Sequence, residues 1–237
     1  GWLPRGRVPP VLSERIAQLA AASEVSVKHV LMAVHARVVM TLTGQEDLLI
    51  GVASNGRVEA DGGTEVIGLH LNLVPHRFQP RGNTWRELVA AAAAKERQLL
   101  PVRRFPHAEI LRVARQSELT DIMFNYTHFH GYEQIAHATG IEVLDGFGYI
   151  QTNFTLRAEF NRDPFTRLLS LDLEANLERV SAPQLRMIAE IYRNALHSVV
   201  DEPDLRPSQR RLLGEDAWAA ELALSHGPAD TPHDTGS

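Results

Sequence analysis

The residues best able to do chemistry in this 237-residue chain are its eleven histidines, and no two of them are adjacent. An imidazole acting as general base or orienting group has to stand within about 3 Å of the proton it handles. His128 and His130 are two apart and so share one face of a strand, a spacing that suits a metal, but a site needs a third and a fourth ligand. No metal site is expected, and His128 reads as a satisfied core or lining histidine. His226 and Asp230 have a His-x-x-x-Asp spacing inside a Gly- and Pro-rich stretch that reads as a flexible tail. The run Ser54, Asn55, Gly56 lacks the spacing and the lysine of a phosphate-cradling loop, and Gly62-Gly63 reads as a turn. No serine sits in a Gly-x-Ser-x-Gly elbow or in a Gly-Gly-x-Ser carrier site, and cysteine is absent. These absences exclude a hydrolase of that type, a carrier domain, a cysteine nucleophile, disulfides and thiolate metal sites from these residues.

Composition narrows the partners. The 24 Lys and Arg are scattered among 29 acidic residues for a net charge of −5, so no basic face able to track a phosphate backbone is expected, and no nucleic acid partner. With 44% hydrophobic and 22% charged residues the balance is that of a globular domain. No stretch approaches the roughly 20 apolar residues of a membrane span, and the first residues have no signal-peptide core, so a cytoplasmic protein with no membrane partner is expected.

The elements that must hold these residues follow from periodicity. Residues 1–10 read as an extended lead-in linker. A helix is expected from Ser13 as N-cap, carrying Ile16, Leu19 and Ala20, and a second from Ser26, carrying Val27, Val30, Leu31, Val34 and Val38 and stopping before Gly44. Leu48 to Ala53 is an unbroken apolar run, expected as a central strand buried on both faces. Residues 54–66 form a surface loop, and the strand Gly68 to Phe78 sets Asn72 on the face opposite Leu69, Leu71 and Leu73. Thr84 caps a helix through Leu100, ended by Pro101, and a shorter helix runs from Pro106 to about Arg115. Ile122 to Phe129 is a further strand, Phe154–Phe160 and Leu168–Ala175 form a hairpin, and Ser181 to Val200 is the closing helix. Residues 11–200 thus form one domain, and 201–237 read as linker and flexible tail with one amphipathic stretch around Leu212 to Leu224. The fold class is α/β, a two-layer sandwich with a mixed β-sheet packed on helices.

Three stretches, in order, carry a family resemblance. Thr43–Arg57 (TGQEDLLIGVASNGR) is similar to the helix end, strand and Gly-Arg turn of nonribosomal peptide synthetase condensation domains; Val66–Phe78 (VIGLHLNLVPHRF) resembles their Asn-bearing strand; Glu118–Glu133 (ELTDIMFNYTHFHGYE) resembles their Met-Phe strand. The sequence departs from the family at Leu73, where Thr is usual, at Leu119-Thr120, where Pro-Leu is usual, and at His128, where many members have Asn.

That resemblance implies one lobe, the C-terminal one, of a fold like chloramphenicol acetyltransferase, in which two lobes enclose a tunnel entered by carrier-protein thioesters. It implies amide formation between a donor acyl or peptidyl thioester and an acceptor amine. It places the His-His-x-x-x-Asp-Gly motif in an N-terminal lobe outside these residues, so the chain contributes no catalytic residue and is expected to be inactive alone. Arg57 would pair with that motif's Asp across the lobes, and Asn72 and His128 would line the tunnel. Against these stand plainer readings: Arg57 as a solvated turn residue, Asn72 as a polar position bonded within the sheet. The implied partners are the N-terminal condensation lobe, peptidyl carrier proteins with their phosphopantetheine arms, and adjacent synthetase domains. No covalently bound cofactor is expected, and an exposed interlobe face would favour self-association. A non-catalytic condensation-like module that recruits a carrier protein or partner enzyme is the alternative.

Overall fold

Proline, not serine, sets where the first helix begins. The computed structural model describes residues 2–56, 70–79, 84–128 and 153–215, with side chains from Gly6 onward. After strand β1 (Trp2–Arg7), helix α1 spans Pro10–Ala22 with Pro9 at the N-cap position and Pro10 at N1, where the missing N–H has no helical partner to lose. Ser13, expected as the cap, lies inside this helix. Its hydroxyl donates to Val8 O at 3.4 Å and accepts from Leu169 N at 3.2 Å.

Helix α2 (Val27–Thr43) starts where expected, with Ser26 and His29 closing a capping box, and stops at Gly44, whose φ of 67° suits glycine. The sequence suggests one apolar stripe on α2, but its burial extends around the helix: Val30, Leu31, Met32, Val34, His35, Ala36 and Val38 are fully buried. The helix is enclosed by the sheet on one side and by its helical neighbours on the other. Each buried aliphatic side chain here contributes about 1.5–3 kcal/mol relative to exposure. Burial disfavours the charged form of His35 and lowers its pKa to about 3; its Nδ1 lies 2.5 Å from the Tyr192 hydroxyl, and its Nε2 has no hydrogen-bond partner among the described residues.

Strands β2 (Leu48–Asn55) and β3 (Leu71–Phe78) pair antiparallel. Helix α3 (Trp85–Leu99) follows, capped reciprocally by Thr84 and Glu87, then a 3-10 turn (Leu100–Val102) and α4 (His107–Ala114). Strands β4 (Ile122–His128), β5 (Leu156–Arg162) and β6 (Leu169–Ala175) precede α5 (Ala182–Asp201), capped by Ser181, and the short α6 (Gln209–Leu213). The six-stranded sheet has the order β1-β6-β5-β4-β2-β3. β2, β4 and β5 run parallel, while the β1–β6, β5–β6 and β2–β3 pairs are antiparallel, so the sheet is mixed.

One face of this sheet meets the helices. Ile50, Val52, Phe124, Ala158, Phe160, Leu169 and Leu173 belong to the same buried cluster as Ile16, Leu31, Trp85, Ile191 and Tyr192. β2 is internal, as expected, but is not buried on both faces: Leu49 is 37% exposed. In β3 the leucine face is the outer one, with Leu71 65% exposed, and Val74, His76 and Phe78 point inward.

Both flanks of the expected domain are folded onto it. Residues 2–7, read from sequence as lead-in, hydrogen-bond to β6 as the sheet edge. Beyond Asp201, Pro203 O and Leu205 O accept the orphan N–H groups of Arg86 and Trp85 at the start of α3 (2.8 and 3.2 Å). Leu212 on α6 is fully buried, and its carbonyl accepts from Asn194 at 2.9 Å. At the other end of α3, Glu96 bridges Lys28 and His29 Nε2, the latter at 2.6 Å. Burial opposes that charge, but the hydrogen bond from His29 and the Lys28 charge outweigh it and hold the carboxyl at about 2.

Candidate functional site

Open sheets with parallel strands bind ligands outside the carboxyl ends of those strands. Here β2, β4 and β5 end together, at Asn55, His128 and Arg162, and β3 begins at the same end because Ser54 is registered against Asn72. Two of the three sequence-derived candidates, Asn72 and His128, therefore stand on one end of the sheet and on its helix-side face. Arg57 lies outside the described residues, as do His130, His226, Asp230 and the Gly62-Gly63 turn.

Asn72 is a clamp. Its Nδ2 donates to Arg103 O and Phe105 O, both at 2.8 Å, so both amide hydrogens hold the connector between α3 and α4. The same corner is tied twice more: Arg103 Nε donates to Asn55 O at 3.2 Å, and His107 Nδ1 donates to Leu73 O at 3.0 Å. Loop carbonyls left by the breaks at Pro101 and Pro106 thus find donors. What remains of Asn72 toward any ligand is its carbonyl oxygen.

His128 closes β4 in a different setting. It is half-buried, with Nδ1 3.4 Å from Arg162 O, a long contact at the limit of hydrogen bonding. Tyr126, two residues earlier on the same face, has its phenol pushed up by burial against the opposing charge and hydrogen bond of Arg162. Arg162 therefore addresses Tyr126 through its guanidinium and His128 through its carbonyl.

The reverse face of the strands carries polar residues that sequence reasoning passed over. Arg157 donates to Glu174 at 2.8 Å and pairs with Glu159, which accepts from Thr127 at 3.3 Å; Asn161 donates to Asp172 at 3.0 Å. Arg157, Asp172 and Glu174 are 8%, 9% and 4% exposed, and Glu174 Oε2 has no hydrogen-bond partner among the described residues. The available signal was the alternation Arg157, Glu159, Asn161 against Ser170, Asp172, Glu174, which marks one polar face across a hairpin.

Among the described histidines, His35 and His76 are buried in the packed interior, with burial lowering the pKa of each, His29 is bound to Glu96, and His107 holds a backbone carbonyl. No group of three or more His, Cys, Asp or Glu able to hold a metal occurs among the described residues. The arrangement can bind and orient through the ends of its strands.

A comparison with known families decides what this sheet belongs to. The condensation domain family model matches residues 6–220. The chain belongs to the condensation domain family. Among curated relatives of this condensation domain chain is the AMB antimetabolite synthetase AmbE of Pseudomonas aeruginosa, 27% identical over 204 residues, which cover 85% of this chain and 9% of AmbE. Bacitracin synthase 2 of Bacillus licheniformis is 23% identical over 230 residues, covering 93% of this chain and 9% of that synthase. Of solved structures, the first condensation domain of the calcium-dependent antibiotic synthetase, in complex with a substrate analogue, superposes with a TM-score of 0.69 at 20% identity, over 85% of this chain and 44% of that one. The X-domain from teicoplanin biosynthesis gives 0.72 at 16% identity, over 87% and 48%. The chain thus spans about half the length of the condensation-fold structures it matches, and a small part of the synthetases. The mixed sheet with helices is the fold they share. No single helix among the described residues is long and apolar enough to cross a membrane.

Proposed function

We propose that these residues form the C-terminal half of a condensation domain that joins a carrier-bound acyl or peptidyl thioester to a carrier-bound aminoacyl thioester, and that this half supplies wall and orientation while the other half supplies the imidazole. The observation that carries the reading is the coincidence of the family match over residues 6–220 with a coverage of only 44–48% of the condensation-fold structures described above. The sequence adds that no two of its histidines adjoin, so the His-His-x-x-x-Asp-Gly motif is not among these residues.

In this reading Arg57 reaches the Asp of that motif, and the carboxyl ends of β2, β4 and β5, with Asn72 and His128, face the tunnel. The substrates arrive on phosphopantetheine arms of partner carrier proteins, so the chain needs no bound cofactor of its own. The partners are the N-terminal lobe, peptidyl carriers and adjacent synthetase domains, in the cytoplasm.

The test mixes this chain with a separately expressed N-terminal condensation half bearing the histidine motif and with both loaded carriers. Amide product on the acceptor carrier, lost when the motif's second histidine is replaced by alanine and reduced at least tenfold by Arg57→Ala, is the expected result. Product formed equally well without this chain would overturn the assignment. The alternative of a non-catalytic recruiting module gives no amide even with a competent partner half, together with a stable complex with a carrier or an enzyme. Exposed Leu49, Leu71, Val102 and Phe105 (37%, 65%, 54% and 48%) lead us to expect concentration-dependent dimerisation in light scattering that the partner half suppresses.

A further inference from the structure

At the opposite flank of the sheet, away from the strand ends just described, the packed layer contains a cleft of about 270 Å³ between β6, α1 and α5. Its floor is Leu171 and Leu173, and its walls are Leu12, Leu196 and Ala189. Protein interiors leave few voids larger than one water, and a water needs two to four polar partners to stay in one. This lining offers water little to hold, so the cleft suits an apolar occupant.

The rest of the lining is different: it includes Gly6, Arg7, Glu190, Arg193 and His197. Arg193 is matched by Glu190 one turn earlier. Arg7 lies on the edge strand, exposed, and no acid pairs with it among the described residues. His197 stands one turn beyond Arg193 on the same helix face. The lining therefore carries one cation, Arg7, with no acid paired to it among the described residues, and a histidine, in a chain whose net charge is −5.

We propose that this cleft is a binding site for a medium-chain aliphatic carboxylate, its tail on Leu171, Leu173, Leu12 and Leu196 and its head on Arg7 and His197. The length follows from the volume: a cavity of about 150 Å³ takes a benzene ring, so by proportion this one takes about ten carbons. The site is independent of the thioester chemistry proposed above, because it lies on the β1–β6 side of the sheet and uses none of Arg57, Asn72 or His128.

The test is isothermal titration of the whole chain with sodium decanoate below its micelle-forming range, with decylammonium chloride as the head-group control. Expected are one saturable site for decanoate, decylammonium binding at least tenfold more weakly, and at least a tenfold loss for Arg7→Glu, whose exposed position leaves the fold intact by circular dichroism. Ala189→Phe, which fills the cleft, is expected to abolish saturable binding. No saturable decanoate binding by the unaltered chain, equal affinity in Arg7→Glu or Ala189→Phe, or equal binding of decylammonium overturns the proposal.

Discussion

On the helix side of the sheet, Phe124, Ala158, Phe160 and Leu169 are at most 2% exposed and meet aromatic and aliphatic partners on α2 and α5. On the reverse side the neighbouring positions of the same strands are Asn125, Arg157, Glu159 and Ser170. The first face is explained by burial alone, since apolar area removed from water stabilises without further design. The second is not, because taking Arg157 and Glu174 out of water offsets most of what their attraction gives. A sheet that only needed stability would carry apolar residues there. The reverse face thus carries a buried, ion-paired row where the packed face carries apolar contacts.

Breaking the polar face at one partner should have the largest effect. Arg157→Ala leaves Glu174 and Glu159 without their cation, and a loss of about 3–5 kcal/mol in chemical denaturation is expected. Replacing Arg157 and Glu174 together by Met and Leu should cost much less; if the single and double variants lose equally, the face is ordinary packing and the contrast fails.

The packed face is expected to reveal itself through pH. His35 is held neutral with a folded pKa of about 3 against an unfolded 6.5. Below pH 6.5 the unfolded chain takes a proton that the folded one refuses, so stability falls as pH drops from 6.5 toward 3, by about 2 kcal/mol at pH 5. His76, lowered by burial, acts in the same direction. Glu96 works in a lower window: its pKa of about 2 against 4.5 unfolded gives stability that is complete above 4.5 and lost as pH falls toward 2. His35→Phe should therefore flatten the stability profile between pH 6.5 and 4.5 and leave the acid limb. An unchanged slope would mean that His35 is solvated in the native state.

Smaller effects separate clamp from lining. Asn72→Ala removes two hydrogen bonds to backbone carbonyls and is expected to lower stability by about 1.5 kcal/mol, with Asn72→Asp worse because a carboxylate cannot donate to Arg103 O and Phe105 O. A neutral result would remove Asn72 from the structural role. Thr84→Ala should cost about 1 kcal/mol through its capping box, and Arg77→Ala, which opens an exposed pair with Asp47, less than about 0.5 kcal/mol.

What was legible in the sequence was what is local. Ser26 and Gly44 bound α2, Thr84 and Glu87 start α3, and Ser181 starts α5, because each cap bonds within its own turn. Ser13 misled for the same reason: it is a good cap by type, but Pro9 and Pro10 fix the backbone first. The burial of α2 on all sides, the Asn72 clamp on carbonyls 31 and 33 residues later, and the seating of Leu212 depend on partners far along the chain that no local pattern encodes. The outward leucines of β3 show the limit of alternation, which separates two faces without saying which one is covered. The family resemblance singled out Asn72 and His128, which the structure sets at one end of the sheet, while the Arg157 row was present as an alternation and escaped because its residues match no catalytic pattern.

The most direct measurement is single-turnover mass spectrometry of the acceptor carrier after incubation of this chain, alone, with both loaded carriers. No amide above the buffer rate is expected, because the reacting amine finds no motif histidine among these residues. Amide formed by the 237-residue chain by itself, dependent on a residue such as His128, would contradict the division of labour proposed between the two halves.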